Sequence, residues 1–223
     1  MTRAAIVLRP EPGNAATVAA ARALGLDAVA LPLFAMAPVA WAVPRAEPYA
    51  GLLAGSAALF RLGGPGLDAL RGLPVHAVGD ATAAAARAAG YAVAQVAGGG
   101  LQPLVSALAP GRYLRLAGEA HVPLALPAAV TVDTRVVYAA NALPLPDDAP
   151  VEGAVVLLHS GEAARHFAGE CARLGLDRGR IALACLAPRI GEMAGPGWQA
   201  LGIAEERTDQ ALLALARQMC QNL

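Results

Sequence analysis

The sequence predicts an α/β protein built from two similar doubly wound domains with parallel sheets. Three observations favour this fold class. Short apolar runs alternate with longer stretches of helical character. Most of these runs are unbroken, which is typical of parallel strands that helices cover on both faces. Two proline-rich stretches, residues 32–48 and 143–150, interrupt the alternation and indicate crossings between domains.

The elements follow in order along the chain. Strands are expected at 4–8, 28–33, 51–54, 75–78, 92–96, 113–117, 130–138, 154–159, 181–186 and 202–204. Helices are expected at 13–24, 56–62, 81–89, 101–109, 119–126, 160–174, 188–200 and 208–221. Several helices also carry boundary signals, such as Gly25 and Gly175 after two of them and Asp209 at the start of the last.

The segments that follow the two crossings resemble each other. Each is an apolar strand that ends in serine and leads into a helix, with Ser56 in the first copy and Ser160 in the second. A second strand follows in each copy, and it ends near Gly79 and near Ala187. This pattern indicates a duplicated half-chain unit and predicts two similar domains that face each other.

Composition excludes several classes of protein. The chain has 223 residues, 57% of them hydrophobic and 15% charged, which is unlike a disordered chain. No apolar run approaches the ~20 residues that span a bilayer. The first apolar run stops at Arg9-Pro10, too early for a secretory signal. We therefore expect a soluble, cytoplasmic protein.

Charge and residue types narrow the chemistry further. The 17 basic residues balance 17 acidic ones, so the basic excess of a nucleic-acid-binding protein is lacking. All basic residues are arginine, which excludes a Schiff-base lysine and a phosphate-loop lysine. Three scattered cysteines and four histidines without an HExxH motif predict no metal site.

The candidate site lies where strands end and helices begin. The candidates are Ser56, the run Gly79-Asp80-Ala81-Thr82, Ser160, and the run Ala187-Pro188-Arg189. Helix starts present free N–H groups and bind anions, and ligands of open α/β sheets lie outside the carboxyl ends of strands. We expect an anion-binding cleft here. In the alternative interpretation Ser56, Thr82 and Ser160 are only helix caps, each contributing ~1 kcal/mol.

Two further side chains are candidates. Arg9 directly follows the first strand and is placed to hold a carboxylate, or alternatively to stabilise its turn with Glu11. Tyr138 ends a long strand near the return crossing, where its phenol can donate a proton or simply pack. A catalytic triad of Ser56 or Ser160 with His159 and an acid also stays open, without positive support.

An ordered set of short motifs resembles the uroporphyrinogen-III synthase family nearly end to end. The motifs are Leu8-Arg9-Pro10, the strand and helix start around Ser56-Ala57, the segment from Pro74 to Ala83, Val136-Val137-Tyr138, the segment around Ser160-Gly161, Ala187-Pro188, and the helix start at Thr208-Asp209. The chain departs from the family at Arg189-Ile190, where hydroxyl residues are common. It also lacks an arginine after Gly118 and a polar residue after Tyr138.

The resemblance implies a fold, a reaction and a set of site residues. One domain, residues 1–33 and 141–223, is discontinuous, and a two-stranded crossing joins it to the other, residues 36–138; both are flavodoxin- or Rossmann-like. Hydroxymethylbilane is closed to uroporphyrinogen III in the interdomain cleft, with loss of water and inversion of ring D. Tyr138 is the implied catalytic residue. The implied substrate-binding residues are Arg9, Pro10, Ser56, Ala57, Gly79, Asp80, Thr82, Ser160, Gly161, Ala187, Pro188 and Arg189.

The resemblance also implies no metal or organic cofactor and a monomer without nucleic-acid or membrane partners. An alternative function is a non-catalytic, two-lobed protein that binds a small anion or a tetrapyrrole. Two α/β lobes with a hinge also describe solute-binding proteins, but those normally carry a signal peptide or a DNA-binding head. Neither feature is visible in the sequence.

Overall fold

The computed structural model describes residues 3–222, which form eleven β-strands and seven α-helices. The strands are β1 (Ala5–Val7), β2 (Ala28–Ala30), β3 (Phe34–Pro38), β4 (Gly51–Ala54), β5 (Val75–Val78), β6 (Val93–Ala97), β7 (Gly111–Gly118), β8 (Val130–Ala142), β9 (Val155–Leu158), β10 (Ala182–Cys185) and β11 (Ala200–Ile203). The helices are α1 (Gly13–Ala23), α2 (Ala58–Leu62), α3 (Asp80–Ala88), α4 (Leu101–Ser106), α5 (Gly161–Leu174), α6 (Pro188–Ala194) and α7 (Asp209–Asn222), with short 3₁₀ helices at Pro65–Leu70 and Arg178–Arg180. The predicted α/β class is confirmed.

The chain divides into two compact units. Unit 1 comprises Met1–Ala35 and Asn141–Leu223, and unit 2 comprises Met36–Ala140. The chain passes from unit 1 to unit 2 within β3 and returns within β8, and these two strands are neighbours in one sheet. Their hydrogen bonds, from Val39 N to Val137 O and from Leu143 N to Leu33 O, run in the antiparallel sense.

The sheet of unit 1 is parallel, and the second sheet is parallel except for the pairing of β3 with β8. The sheet of unit 1 has the order β11-β10-β9-β1-β2, and the second sheet has the order β3-β8-β7-β4-β5-β6. When strands are counted from β9 in the first sheet and from β4 in the second, the five strands of the first sheet and β4 to β8 of the second both have the order 3-2-1-4-5, and β3 is added at the edge beside β8. In unit 1 the fourth and fifth strands come from the beginning of the chain. The two sheets are therefore related by a circular permutation.

Helices bury both faces of the unit 1 sheet. The strands β9 and β10 are fully buried, as their unbroken apolar sequences predict. On one face Val156 belongs to an apolar cluster with Phe167 of α5, and on the other Val155 belongs to a cluster with Leu212 of α7. Two further clusters form the core of unit 2. Among the described residues, each cluster draws its buried members from a single unit.

The helix predicted at 119–126 is wrong, because this segment has no regular secondary structure. Pro123 lacks an amide hydrogen and disfavours the helical conformation for the residue before it. The His121 ring instead contacts the Gly118 carbonyl oxygen, with Nδ1 2.8 Å away. This segment connects β7 to β8. The corresponding connection in unit 1, from β1 to β2, is made by helix α1.

Other elements also differ from the prediction, and β2 and α4 each end three residues early. Strand β8 continues to Ala142, so Tyr138 lies inside the strand and not at its end. Strand β3 is absent from the prediction, since it lies within the proline-rich crossing. Helix α6 ends at Ala194, six residues early, because Gly195 has a φ of 72° and Pro196 follows. Among residues 3–222, no helix is long and apolar enough to cross a membrane.

Candidate active site

The carboxyl ends of the strands gather most of the predicted site residues within each unit. In unit 1, Arg9 follows β1, Ser160 follows β9 and Ala187 follows β10. These three strands are neighbours in one parallel sheet, so the residues lie along the same edge. In unit 2, Ser56 follows β4 and Gly79 follows β5, again on neighbouring strands.

In unit 1, Asp209, the first residue of α7, connects the side chains at the carboxyl edge of the sheet. Its Oδ1 lies 2.7 Å from His159 Nε2 and 3.4 Å from Arg9 Nη1. Its Oδ2 accepts a hydrogen bond of 2.7 Å from the hydroxyl of Thr17 in α1, which in turn accepts one from Arg9. One carboxylate thus joins the loop after β1, the end of β9, and two helices.

The titration of this network follows from burial and hydrogen bonding. Burial lowers the pKa of His159, and the hydrogen bond with Asp209 opposes that effect without cancelling it. Burial alone would raise the pKa of Asp209, but its hydrogen bonds from His159 and Thr17 leave that pKa below the usual value. At neutral pH His159 is therefore uncharged and donates Nε2–H to the Asp209 carboxylate. Its Nδ1 is buried and has no hydrogen-bond partner in the described chain.

Arg9 is consequently paired within the protein. The alternative that Arg9 stabilises its turn with Glu11 is wrong, because Asp209 is its carboxylate partner and Glu11 accepts from the Ala15 amide. The possible triad is also incomplete. His159 pairs with Asp209, whereas Ser160 accepts from the Ala163 amide and Ser56 from the Ala58 amide.

Beside this network lies a pocket of about 420 Å³, here called the unit 1 pocket. Its lining includes Gly161 at the start of α5 and two arginines, Arg189 and Arg207. Among the described residues, no carboxylate pairs with either arginine. The Met193 side chain packs directly against Gly161. A Cβ at position 161 would collide with it, so the present packing of Met193 requires glycine there. The pocket combines two cations that form no ion pair with a described carboxylate and the amino end of a 14-residue helix, and its lining also includes Glu162 in the first turn of that helix.

The other helix starts differ in their suitability for an anion. Ser160 caps α5, as the capping interpretation predicts, with a bond of 3.1 Å from Ala163 N. Thr82 is not a cap, because it is the third residue of α3 and is buried. Gly79 precedes that helix with a φ of 77°, and the exposed Asp80 carboxylate already lies at its positive end.

The remaining predicted residues make local contacts. Ala57 precedes α2, which has only five residues, and Ala187 and Pro188 begin α6, which has seven. Pro10 accepts a hydrogen bond from the Asn14 amide and so helps to begin α1. Ala57 has helical backbone angles and Ala187 extended ones, and neither position offers a side-chain cap.

In unit 2, Tyr138 lines a pocket of about 220 Å³, here called the Tyr138 pocket. Its ring lies against Gly118 of β7, where an added Cβ would be 2.5 Å from Tyr138 Cε2. The Glu119 amide donates to the Tyr138 carbonyl oxygen, which fixes the backbone beside the ring. The phenol oxygen makes no hydrogen bond with a described residue.

Sequence reasoning misses four side chains at these edges. It marks Asp209 and His159 only as a helix start and as a possible triad member, and it does not single out Arg207 or Arg115. A signal for Arg115 exists, since an arginine inside the apolar run Tyr113-Leu114-Arg115-Leu116 of a covered strand is unusual. The contact of Asp209 with His159 is between residues 50 positions apart and needs the fold.

Comparisons with known proteins agree with the fold and identify the family. The family model described as Uroporphyrinogen-III synthase HemD matches residues 15–214. The chain is similar to a uroporphyrinogen-III synthetase from Helicobacter pylori 26695, with a TM-score of 0.65 and 16% identity over 97% of this chain and 99% of that chain. It is also similar to a mutant uroporphyrinogen III synthase from the extremely thermophilic bacterium Thermus thermophilus, with a TM-score of 0.53 and 16% identity over 98% and 100%.

At these identities the two solved structures show a shared fold. No curated protein sequence matches the chain significantly. The family model, in contrast, covers nearly all of the described residues, including the ends of β4, β5, β9 and β10 and the first residues of α7. The chain belongs to the uroporphyrinogen-III synthase family.

Proposed function

We propose that this chain is a uroporphyrinogen-III synthase. It cyclises the linear tetrapyrrole hydroxymethylbilane to uroporphyrinogen III, with loss of water and inversion of ring D. The observation that carries the proposal is the family match over residues 15–214. The substrate supplies most of the reactivity: its electron-rich hydroxymethylpyrrole loses the hydroxyl group to give an electrophilic azafulvene, which a pyrrole carbon of ring D attacks to form a spiro intermediate. The protein has to orient it, prevent direct closure to the type I isomer, and help the hydroxyl group to leave.

The unit 1 pocket suits part of this task. Every pyrrole of the substrate carries an acetate and a propionate, so the ligand is a polyanion. Arg189 and Arg207 offer guanidinium groups that no carboxylate of the described chain pairs with, and the amino end of α5 adds N–H donors. Arg189 stands where the family commonly has a hydroxyl residue, and it offers a stronger anion contact there.

Tyr138 is the proposed acid at the leaving group. Its phenol oxygen is free of hydrogen bonds to described residues, and its ring is held against Gly118 in a pocket. A phenol in this state can donate its proton to the departing hydroxyl group of the substrate. Arg9, by contrast, is already paired with Asp209, so we assign it to holding the strand edge in addition to any substrate contact.

The decisive experiment supplies hydroxymethylbilane, generated in situ from porphobilinogen, to the purified protein. After oxidation, chromatography separates the type I and type III uroporphyrin isomers. We expect mainly type III product without added metal or nucleotide. If only type I forms, as it does without enzyme, the chain is not a synthase. The alternative, a non-catalytic tetrapyrrole-binding protein, would then require tight binding of uroporphyrinogen without turnover.

The organisation of the enzyme forms a second part of the proposal. We propose that residues 1–33 with 141–223 and residues 36–138 act as two domains that close on one substrate. The common strand order of the two sheets supports their origin by duplication. Small-angle scattering with and without product tests closure, and an unchanged profile would contradict it. We further propose a cytoplasmic monomer without nucleic-acid or membrane partners, which light scattering and cell fractionation test.

A further inference from the structure

Arg115 is a buried cation without a carboxylate partner. It lies in the interior of β7, where it is opposite Leu53 of β4 and Thr134 of β8. Its exposed fraction is 5%. The guanidinium makes one hydrogen bond, from Nη1 to the Val122 carbonyl oxygen at 2.9 Å, and its Nε is buried without a partner. Among residues 3–222, no Asp or Glu forms an ion pair with it.

Such an arrangement is energetically unfavourable for the protein alone. A guanidinium remains charged in proteins, and a buried charge is costly unless an opposite charge or a full set of hydrogen bonds compensates for it. Burial lowers the pKa of Arg115, in line with this cost. One carbonyl oxygen satisfies only one of its five N–H donors. Of the remaining donors Nε is buried without a partner, and an anionic acceptor would satisfy it.

Two pockets adjoin the Arg115 guanidinium, and an anionic group would reach it through them. Arg115 lines the Tyr138 pocket, and it also lines a second pocket of about 250 Å³ that includes Thr134. Both pockets include His121 and the irregular segment around Val122 and Pro123. Neither pocket is lined by an aspartate or a glutamate. The cation therefore adjoins ligand-sized space beside the proposed acid Tyr138, with no internal competitor for an anion.

We propose that Arg115 binds a carboxylate of the tetrapyrrole and anchors it in the Tyr138 pocket. This inference rests on the proposed function, because it takes the anion from that substrate. An acetate or a propionate group fits the requirement, since a carboxylate accepts two N–H bonds from one guanidinium. Anchoring one carboxylate beside Tyr138 also restricts the orientation of the ring that carries it. Arg115 is thus a binding and specificity residue of unit 2.

The test compares Arg115→Met with Arg115→Lys and with a control on the same strand, Arg112→Met. Arg112 is half-exposed and pairs with Asp133. The probe is uroporphyrinogen III, kept reduced, and its Kd is measured from the ligand-dependent rise in Tm. We expect Arg115→Met to raise the Kd at least tenfold while the Tm without ligand is unchanged or higher. Arg115→Lys should recover part of the affinity, and Arg112→Met should leave the Kd within twofold.

The source of the carboxylate is found with coproporphyrinogen III, which keeps four propionates but has methyl groups in place of the acetates. If Arg115→Met weakens binding of both ligands, the anchored group is a propionate. If it weakens only uroporphyrinogen III, the group is an acetate. An unchanged Kd in Arg115→Met, or a loss of Tm in both Arg115 variants without loss of affinity, would overturn the inference and leave Arg115 a structural residue.

The isomer assay keeps this result separate from the proposed function. If the wild-type chain forms the type III isomer and Arg115→Met does so with an unchanged KM, the proposed synthase function is supported and the proposed Arg115 site is rejected. If the wild-type chain forms only type I but Arg115→Met still weakens binding of uroporphyrinogen III, the synthase function is rejected and the carboxylate site is supported. In an active enzyme we expect Arg115→Met to raise KM more than it lowers kcat, because Tyr138 is intact.

Discussion

Tyr138 combines a phenol oxygen that makes no hydrogen bond within residues 3–222 with a ring position set by its contact with Gly118. We predict that Tyr138→Phe lowers kcat by about 10²-fold or more, since loss of a general acid typically costs that much. The affinity for uroporphyrinogen III should change little, because the ring and its contact with Gly118 remain. Isomer chromatography with a rate assay checks this. Unchanged rate and isomer ratio would remove Tyr138 from the chemistry.

The contact between Gly118 and Tyr138 allows an independent test of the same role. Gly118→Ala places a Cβ 2.5 Å from the ring and must displace it. A displacement of ~1 Å is enough to lower a rate ~10²-fold, and the overpacking costs about 1–3 kcal/mol of stability. The matched control is Gly98→Ala, where an added Cβ meets no atom within 4 Å. Full activity in Gly118→Ala would show that the ring position is not critical.

His159 makes stability depend on pH. Burial lowers its pKa below the ordinary value of 6.5, so the unfolded chain binds its proton before the folded chain does. Stability is therefore fully present above about pH 6.5 and falls as the pH decreases toward the lower, folded-state pKa. Urea unfolding at about pH 7.5 and pH 5.5, on either side of the ordinary histidine pKa, should show a smaller loss for His159→Gln than for the wild type. His121→Gln, at an exposed position, is the control and should keep the wild-type loss.

At this scale the sequence locates side chains that follow strands, but not their partners. Ser160 is predictable as a cap because capping is local, with donor and acceptor only three positions apart in the sequence. Asp209 cannot be assigned to His159 and Arg9 from sequence, because those contacts depend on β1, β9 and α7 being packed together. Arg115 can be questioned from its apolar neighbours alone, yet its lack of a partner is visible only in three dimensions.

Helix α5 has a side-chain cap, Ser160, whereas the N-cap position of α2 is Ala57 and offers none. Ser160 bonds the amide of the third helical residue in a 14-residue helix, whereas Ser56 bonds an amide at the start of a five-residue helix. We predict that Ser160→Ala lowers the free energy of unfolding by about 1 kcal/mol. Ser56→Ala should cost clearly less, since α2 contributes less to the fold. Urea unfolding of both variants decides the point, and equal losses would contradict it.

The elements themselves are predictable where burial is uniform. Strands β4 and β5 have the expected bounds, because unbroken apolar runs between turns leave little choice. The prediction for 119–126 fails because a helical composition extends across Pro123, which prevents the helix locally. Strand β3 is not predicted because its proline-rich flanks favour an irregular segment. The strand forms nevertheless, since it pairs with β8, which is distant in sequence.

The circular permutation between the units predicts which rearranged chains will fold. A variant that begins at Arg45, ends at Pro44 and joins residue 223 to residue 1 through a Gly/Ser linker of about 15 residues makes the sheet of unit 1 contiguous in sequence. It keeps β4 to β8 consecutive and leaves β3 near the new carboxyl end. We expect it to melt cooperatively and to form type III product, because the new ends lie in an irregular, partly exposed segment.

The control for this permutant opens the chain at Leu114, inside the buried strand β7, and should not fold. Far-ultraviolet circular dichroism and the isomer assay compare the two. A disordered Arg45 permutant would show that the first sheet needs its strands in the natural order. The apolar clusters argue against that, since each is confined to one unit among the described residues.

The position of β1 has a consequence for how the protein is made. This strand lies between β2 and β9, and Ala5 is opposite Val155, which the ribosome adds 150 residues later. At a synthesis rate of roughly 5–20 residues per second, about 8–30 s pass between the addition of β1 and the addition of β9, with which it pairs. During that interval the sheet of unit 2 emerges complete, because β4 to β8 are consecutive. The middle of the chain can thus become native before its beginning does.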